Sequence, residues 1–378
     1  MTASDRLLRT VRQPGRYTGG EFNLPATASP SVVLAFPDLY EIGMSHFGTQ
    51  ILYWECVGQG IAVDRAYLPA PDLADGLRTT GEPLATLAAR VPLRDVPLLG
   101  ITVQHELAVT AVLELLDLGG IPLAAADRGD RAPLVIAGGP GIANPLPLAP
   151  FIDAFVPGDG EGFFAECRDA GVLDPARPRA DRRRALAALP GVWVPGLTPG
   201  PVRARQVADL EAAPHPHTML VPNFRIVQER AVVELARGCP NRCRFCQARV
   251  LYAPWRRRAP ETVRALAREL TAATGFDRLS LLTLNAAAYP DFNSLLRGLH
   301  DDLAPLHCSV MLPSQHVATL DPAILPLLAS GRKGGLTLAP EAATERLRRV
   351  IGKQLSDQQL IDLCQAAAEH FRQPVDAV

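Results

Sequence analysis

Residues 231–246 run Ala-Val-Val-Glu-Leu-Ala-Arg-Gly-Cys-Pro-Asn-Arg-Cys-Arg-Phe-Cys. Val232–Leu235 is a short apolar run of strand type that leads into a loop bearing Cys239, Cys243 and Cys246. Their spacing is C-x₃-C-x₂-C. Three thiolates this close in sequence can wrap one metal centre from a single loop. Zinc would want a fourth N or S ligand, and the next Cys or His residues are His300, His307 and Cys308, far along the chain. Three ligands with one position open suit a 4Fe-4S cluster with one iron free, and thiolates suit iron–sulfur chemistry in general. A structural zinc knuckle and chance clustering are the other readings.

Downstream, the pattern alternates strand and helix. Pro260–Ala273 reads as a helix with Pro in its first turn, Leu279–Leu284 as a strand and Phe292–Leu303 as a helix. Cys308–Leu312 is a strand, Pro322–Ala329 a short helix, Gly335–Leu338 a strand, and Glu345–Ile351 and Gln358–Phe371 are helices. Upstream, Val32–Phe36, Ile61–Leu68, Leu98–Gln104, Leu134–Ala137 and Ala154–Val156 are apolar runs, with helical stretches from about Phe47 and over Glu106–Leu118. Continuous apolar strands between helices indicate a parallel sheet covered on both faces. Such sheets bind ligands outside the carboxyl ends of their strands. There stand Gly138-Gly139-Pro140 and Gly158-Asp159-Gly160-Glu161, where glycine allows close backbone approach to a ligand. The expected division is a lead-in over 1–30, an α/β domain over 31–170, a Pro/Arg-rich linker over 171–230 and a (β/α) domain over 231–378. His215 and His217 fall in the linker and are given no role.

Basic and acidic residues nearly balance, 38 against 39, so the chain lacks the electrostatic footprint of a nucleic-acid binder. A hydrophobic content of 48% excludes wholesale disorder. Only Lys333 and Lys353 are lysines; the other 36 basic residues are Arg. No apolar run reaches the roughly 18 residues needed to span a bilayer, and the polar start is not of signal-peptide type. A cytoplasmic protein without a membrane partner is therefore expected. Cys56, Cys167, Cys308 and Cys364 are scattered and read as buried small residues, not a disulfide framework. Trp255-Arg256-Arg257-Arg258 reads as a solvated basic turn before a helix, with an RNA-contacting patch as the less favoured reading.

The cysteine spacing, with aromatic Phe245 just before the third cysteine and a strand before the loop, resembles the radical S-adenosylmethionine superfamily. The resemblance implies that the three thiolates hold a 4Fe-4S cluster whose open iron chelates S-adenosylmethionine. A reduced cluster would pass one electron to the sulfonium, yielding methionine and a 5′-deoxyadenosyl radical that abstracts hydrogen from a substrate, here unknown. It also implies a one-electron donor such as flavodoxin or ferredoxin. The Gly-Gly-Glu that often follows the second strand in the family is absent: Thr283 to Pro290 keep only Tyr289 of the pattern seen in relatives with cobalamin-type front domains. Leu338-Ala339-Pro340-Glu341-Ala342 resembles the Pro-Glu-Ala segment of those relatives, which makes Glu341 a candidate cofactor-contacting acid. Its other reading is a carboxylate stabilised at a helix N-terminus. Ser314 is a candidate of the same kind.

The front domain resembles that of cobalamin-binding radical enzymes, which implies a flavodoxin-like sheet and makes Gly138, Gly139, Gly158 and Glu161 candidate cofactor contacts. Cobalamin domains that replace the lower axial base use Asp-x-His-x-x-Gly. Asp38 and Gly43 fall in that register but Tyr40 takes the His position, so no histidine is expected to ligate cobalt there. His46 is expected to cap or pack against the following helix. A remnant fold that binds nothing is the alternative. The string from Pro37 to His46, with Gln104-His105-Glu106-Leu107 and Ala339-Pro340-Glu341, looks like an uncharacterised two-domain family. The implied activity is radical carbon functionalisation, such as methyl transfer if cobalamin is bound. Alternatives are an inactive, truncated cluster-binding relative and a zinc-binding nucleic-acid module. The barrel of this superfamily usually has six strand–helix units. Only four are legible here, with no fifth strand, so the end reads as a truncation that weakens cluster binding and turnover.

Overall fold

A computed structural model describes residues 3–311, 325, 337–370 and 376–377. Two units emerge: Met1–Val207 with Leu220–Gln228, and Ala208–Met219 with Glu229–Val378.

In the first unit, β1 (Val32–Phe36), β2 (Val63–Tyr67), β3 (Leu98–Thr102), β4 (Leu134–Gly138) and β5 (Ala154–Val156) form one parallel sheet in the order β2-β1-β3-β4-β5. That is the flavodoxin-like doubly wound order. Alternate residues of each strand serve opposite faces. Val33, Ala35, Leu99, Ile101, Val135 and Ala137 enter one apolar layer, while Val32, Leu34, Phe36, Leu98, Leu134 and Ile136 enter the other. Both faces are buried, which is why these strands read as continuous apolar runs. β2 is the exception in composition. Its Arg65 is 1% exposed and meets both carboxylate oxygens of buried Glu21, at 2.9 and 3.1 Å. The Tyr40 hydroxyl donates to the same carboxylate at 2.9 Å.

Two expectations need correction here. The lead-in is built into the unit: Glu21 lies in its core, and Phe22 bridges Val221. Nor is 171–230 a linker. Arg179–Ala188 is a helix with Leu186 buried; Arg179 pairs with Asp153, and Arg182 donates to the carbonyls of Val172 and Pro97, both at 2.7 Å. Trp193 pairs antiparallel with Phe155, extending the sheet beyond β5. Arg179 and Arg182, part of the Arg-rich stretch that suggested a linker, are structural donors to buried acceptors. Helices Pro71–Thr80 and Phe163–Asp169 were not anticipated, and Glu106–Leu118 divides into a 3₁₀ turn, Glu106–Ala108, and an α-helix, Val109–Leu118.

In the second unit, β6 (Ala231–Glu234) is followed by β7 (Ala236–Arg237) and β8 (Arg256–Arg257), which pair antiparallel. β9 (Arg278–Leu282) and β10 (Ser309–Met311) join β6 in a parallel sheet ordered β10-β9-β6. Helices Pro260–Thr274 and Phe292–Leu303 make the connections, as the sequence predicts. β11 (Thr337–Leu338) pairs parallel with β12 (Asp376–Ala377), a short fifth strand that sequence reading missed. Ser314 and, Leu325 apart, the helix expected at 322–329 lie outside the described residues. Ala208–Met219 belongs to this unit: His215 Nε2 accepts the Glu234 N–H at 3.3 Å at the end of β6. Among the described residues no helix is long and apolar enough to cross a membrane.

Candidate metal centre

The cysteine loop is closed at its base by the β7/β8 pair. Arg237 clamps that base with a bidentate contact to Glu234, at 2.9 and 3.0 Å. Gly238 starts the loop at φ +84, and a Cβ there would lie 2.6 Å from the Tyr252 carbonyl oxygen and 2.7 Å from that of Pro254. Only glycine permits this closure. Beyond it, the Cys246 N–H donates to the Cys243 carbonyl at 3.3 Å, holding the second and third cysteines in one turn. The loop is backed from a distant segment. Arg244 N–H donates to the Ile351 carbonyl at 2.8 Å, and Gly352, at φ +83, would bring a Cβ to 2.7 Å from the Arg242 carbonyl oxygen.

All three thiols are free; Cys243 is buried, while Cys239 and Cys246 are partly exposed. Burial pushes the Cys239 thiol up, and the neighbouring Cys243 and Cys246 add to that. Burial also raises Cys243, against the opposing charge of Lys353. The three sulfurs therefore feel one another, yet among the described residues no three Cys, His, Asp or Glu side chains close on a single ion. A cubane cluster holds its thiolates farther apart than one ion does. The donor set, three free thiols on one loop, has the chemistry of an iron–sulfur site. Phe245 is 54% exposed, so its ring faces outward beside the thiols instead of packing in the core.

Glu341 is brought to this loop. It adopts a left-handed φ of +66, unusual for a non-glycine residue. Its Oε1 lies 3.2 Å from Lys353 Nζ, which also donates to the Ala339 carbonyl. Arg348, buried, donates to the carbonyls of Ala342 and Ala343 at 3.1 and 3.2 Å. The helix that follows is Glu345–Val350, capped by Thr344, so Glu341 stands outside its first turn and the helix-terminus reading does not apply. Gly352 and Lys353 were not singled out from the sequence. The available signal was a lysine, one of two, in a chain that otherwise uses arginine.

After β9, Asn285 and Ala286 are buried, and Tyr289 donates its hydroxyl to the Arg258 carbonyl at 2.6 Å. Burial lifts that phenol to about 12. Tyr289 is thus committed to the fold. Arg256 and Arg258 are likewise buried, and Arg257 lies over the Trp255 ring at 5.5 Å. The basic run is a strand with two inward guanidinium groups, not a solvated turn.

In the first unit the strand-end glycines have internal explanations. A Cβ on Gly139, at φ +93, would lie 2.6 Å from the Val103 carbonyl oxygen; on Gly158, at φ +94, it would lie 2.1 Å from that of Arg205. Gly158 and Asp159 pair with Arg205 as an added strand-like segment. The close approach these glycines permit is therefore to the chain itself. Gly138 has open space apart from the Val156 carbonyl oxygen at 3.6 Å, and Glu161 is partly exposed beside Glu55. Tyr40 points into the core, stacked on Phe224 at 5.0 Å. His46 caps helix Phe47–Gly58 by accepting the Thr49 N–H on Nδ1 at 3.2 Å, as expected.

Two family models match: radical SAM proteins, N-terminal, over residues 48–195, and the radical SAM superfamily over residues 233–375. The chain belongs to the radical S-adenosylmethionine superfamily. The first match runs through the Arg179–Ala188 helix that sequence reading had placed in a linker. An uncharacterized protein of Methanocaldococcus jannaschii is 28% identical over 228 residues, 60% of this chain and 47% of that protein. The chain thus spans about half the length of the curated relative it matches. Among solved structures, the radical S-adenosylmethionine methyltransferase TsrM from Kitasatospora setae, with cobalamin and a [4Fe-4S] cluster bound, aligns at a TM-score of 0.61 and 16% identity. That alignment covers 93% of this chain and 68% of TsrM. OxsB, a cobalamin-dependent S-adenosylmethionine radical enzyme, aligns at 0.63 and 12% identity over 92% of this chain and 49% of its own. At these identities the likeness is one of fold: this chain has the fold of cobalamin-dependent radical SAM enzymes.

Proposed function

We propose that Cys239, Cys243 and Cys246 hold a 4Fe-4S cluster and that the chain uses it on S-adenosylmethionine for radical carbon functionalisation. The observation that carries this reading is the loop itself: three free thiols on one loop, closed by Gly238 and backed by Gly352. A bound cluster with S-adenosylmethionine supplies reductive cleavage to a 5′-deoxyadenosyl radical when an electron arrives from a donor such as flavodoxin or ferredoxin. The chain's part is to fix the thiols, to present Glu341 beside them, and to offer the outward Phe245 ring as a cofactor contact. Ser314 remains a candidate contact on the resemblance alone. The thiols and the segment behind them both lie among the described residues, and cluster binding is proposed for them. The substrate is open.

Cobalamin in the first unit is a second proposed ligand, supported by the flavodoxin-like strand order and the likeness in fold to two cobalamin enzymes. Methyl transfer is the reaction class that would follow from it. Tyr40 is engaged by Glu21 and His46 by Thr49, so neither side chain is placed to ligate cobalt. Titration with hydroxocobalamin, followed by absorbance, checks this part.

The test of the main proposal is 5′-deoxyadenosine formation by the anaerobically reconstituted chain with dithionite and S-adenosylmethionine. Formation that disappears on changing all three cysteines to Ala supports it. Iron without 5′-deoxyadenosine favours the inactive cluster-binding relative, and zinc without iron sinks the reading.

A further inference from the structure

We infer that Lys353 is a positioning residue for the cluster: its buried ammonium, anchored between Glu341 and the Ala339 carbonyl and set behind Cys243 by Gly352, raises the cluster's reduction potential. The inference rests on the proposed reading that the three thiols hold a cluster.

Lysine is seldom fully buried unless paired. Lys353 is 6% exposed, and its ammonium is satisfied by Glu341 Oε1 at 3.2 Å and by the Ala339 carbonyl. Its own N–H donates to the Arg348 carbonyl at 2.8 Å, so the backbone is held as well as the side chain. The preceding residue abuts the cysteine loop. A Cβ on Gly352 would lie 2.7 Å from the Arg242 carbonyl oxygen and 3.5 Å from the Cys243 Cα, and Ile351 accepts the Arg244 N–H. Ile351 and Gly352 therefore hold the backbone that carries Lys353 against residues 242–244 of the cysteine loop.

The residue type agrees with this role. The chain has two lysines against 36 arginines, and its other buried cationic sites, such as Arg65, Arg182, Arg258 and Arg348, use the wide guanidinium fork. A compact point charge is what differs at position 353. A fixed positive charge in a partly desolvated site favours the state carrying one more electron. Glu341 opposes it. The couple concerned takes up one electron and no proton, and in the test that electron comes from the electrode through mediators.

The experiment is an EPR-monitored redox titration of the anaerobically reconstituted full chain as wild type, Lys353→Met, Lys353→Arg and Glu341→Gln. Lys353→Met is expected to retain iron and sulfide and to become harder to reduce by about tenfold in the equilibrium constant, about 59 mV for a one-electron couple. Lys353→Arg is expected to recover most of that shift. Glu341→Gln is expected to move the potential the opposite way. If Lys353→Met loses its iron, the Glu341→Gln shift alone decides. Unchanged potentials, or shifts of the same sign for Lys353→Met and Glu341→Gln, overturn the inference, since a merely structural pair would not give opposite signs. A wild-type chain that takes up no iron overturns both the inference and the cluster proposal, and is seen before any variant is made.

Discussion

Replacing Gly352 by Ala tests whether the cysteine loop depends on the segment behind it. Two effects add. Alanine in the left-handed region costs about 1–2 kcal/mol. The new Cβ also lies 2.7 Å from the Arg242 carbonyl oxygen, so backbone must move, which costs about 1–3 kcal/mol by analogy with overpacked cores. Together they come to roughly 2–5 kcal/mol. Gly275 is the control: it ends helix Pro260–Thr274 at φ +70 with nothing within 4 Å of a Cβ, so Gly275→Ala meets only the first effect. At roughly 2–4 °C per kcal/mol, Gly352→Ala is expected to lower the unfolding midpoint by roughly 4–20 °C and Gly275→Ala by roughly 2–8 °C. Calorimetry gives the midpoints, and iron analysis after reconstitution gives occupancy. Gly352→Ala is expected to bind less iron than wild type, Gly275→Ala the same amount. Equal midpoint losses with equal iron would refute the idea that residues 351–353 support the loop.

Two further outcomes concern the first unit. Glu21→Gln removes the charge facing buried Arg65 and is expected to cost about 3–5 kcal/mol in urea unfolding; a loss under about 1 kcal/mol would show that the pair is not needed. Burial raises the Glu21 pKa, but Arg65 and the hydrogen bonds bring it below its ordinary value, so its contribution is present above the usual carboxylate range and is lost as pH falls through its folded value. Burial pulls His46 down to about 4, against a hydrogen bond with the Gln104 side chain that favours the protonated ring. The unfolded chain then binds the extra proton between about 6.5 and 4, so stability falls as pH falls across that window. His46→Asn keeps a capping side chain without the titration, and the same loss between pH 7 and pH 5 as in wild type would contradict the assignment.

The strands of the first unit were legible because both faces of the sheet are buried, and β1 and β5 coincide with their apolar runs residue for residue. What stayed hidden depends on partners distant in sequence. Arg65 sits in a strand only because Glu21 meets it, and Arg179 and Arg182 leave solvent only because Asp153 and two carbonyls accept from them. Composition alone makes such arginines look like a linker. The glycines at 139 and 158 suggested a ligand, whereas the Val103 and Arg205 carbonyl oxygens occupy the space a side chain would need. At the candidate metal centre, the cysteines and Glu341 could be named from motif and resemblance. Gly352 and Lys353 could not, because their role arises from the approach of residues 351–353 to the cysteine loop.

The most direct measurement is the iron and sulfide content of the purified, anaerobically reconstituted chain beside the Cys239→Ala, Cys243→Ala, Cys246→Ala triple variant, read together with the EPR spectrum after reduction. About four iron and four sulfide per chain, as a [4Fe-4S] cluster requires, with a reducible signal and the loss of all three from the variant, is the expected result. Iron and sulfide retained by the variant, or zinc in place of iron in the wild type, would contradict the assignment of these three thiols.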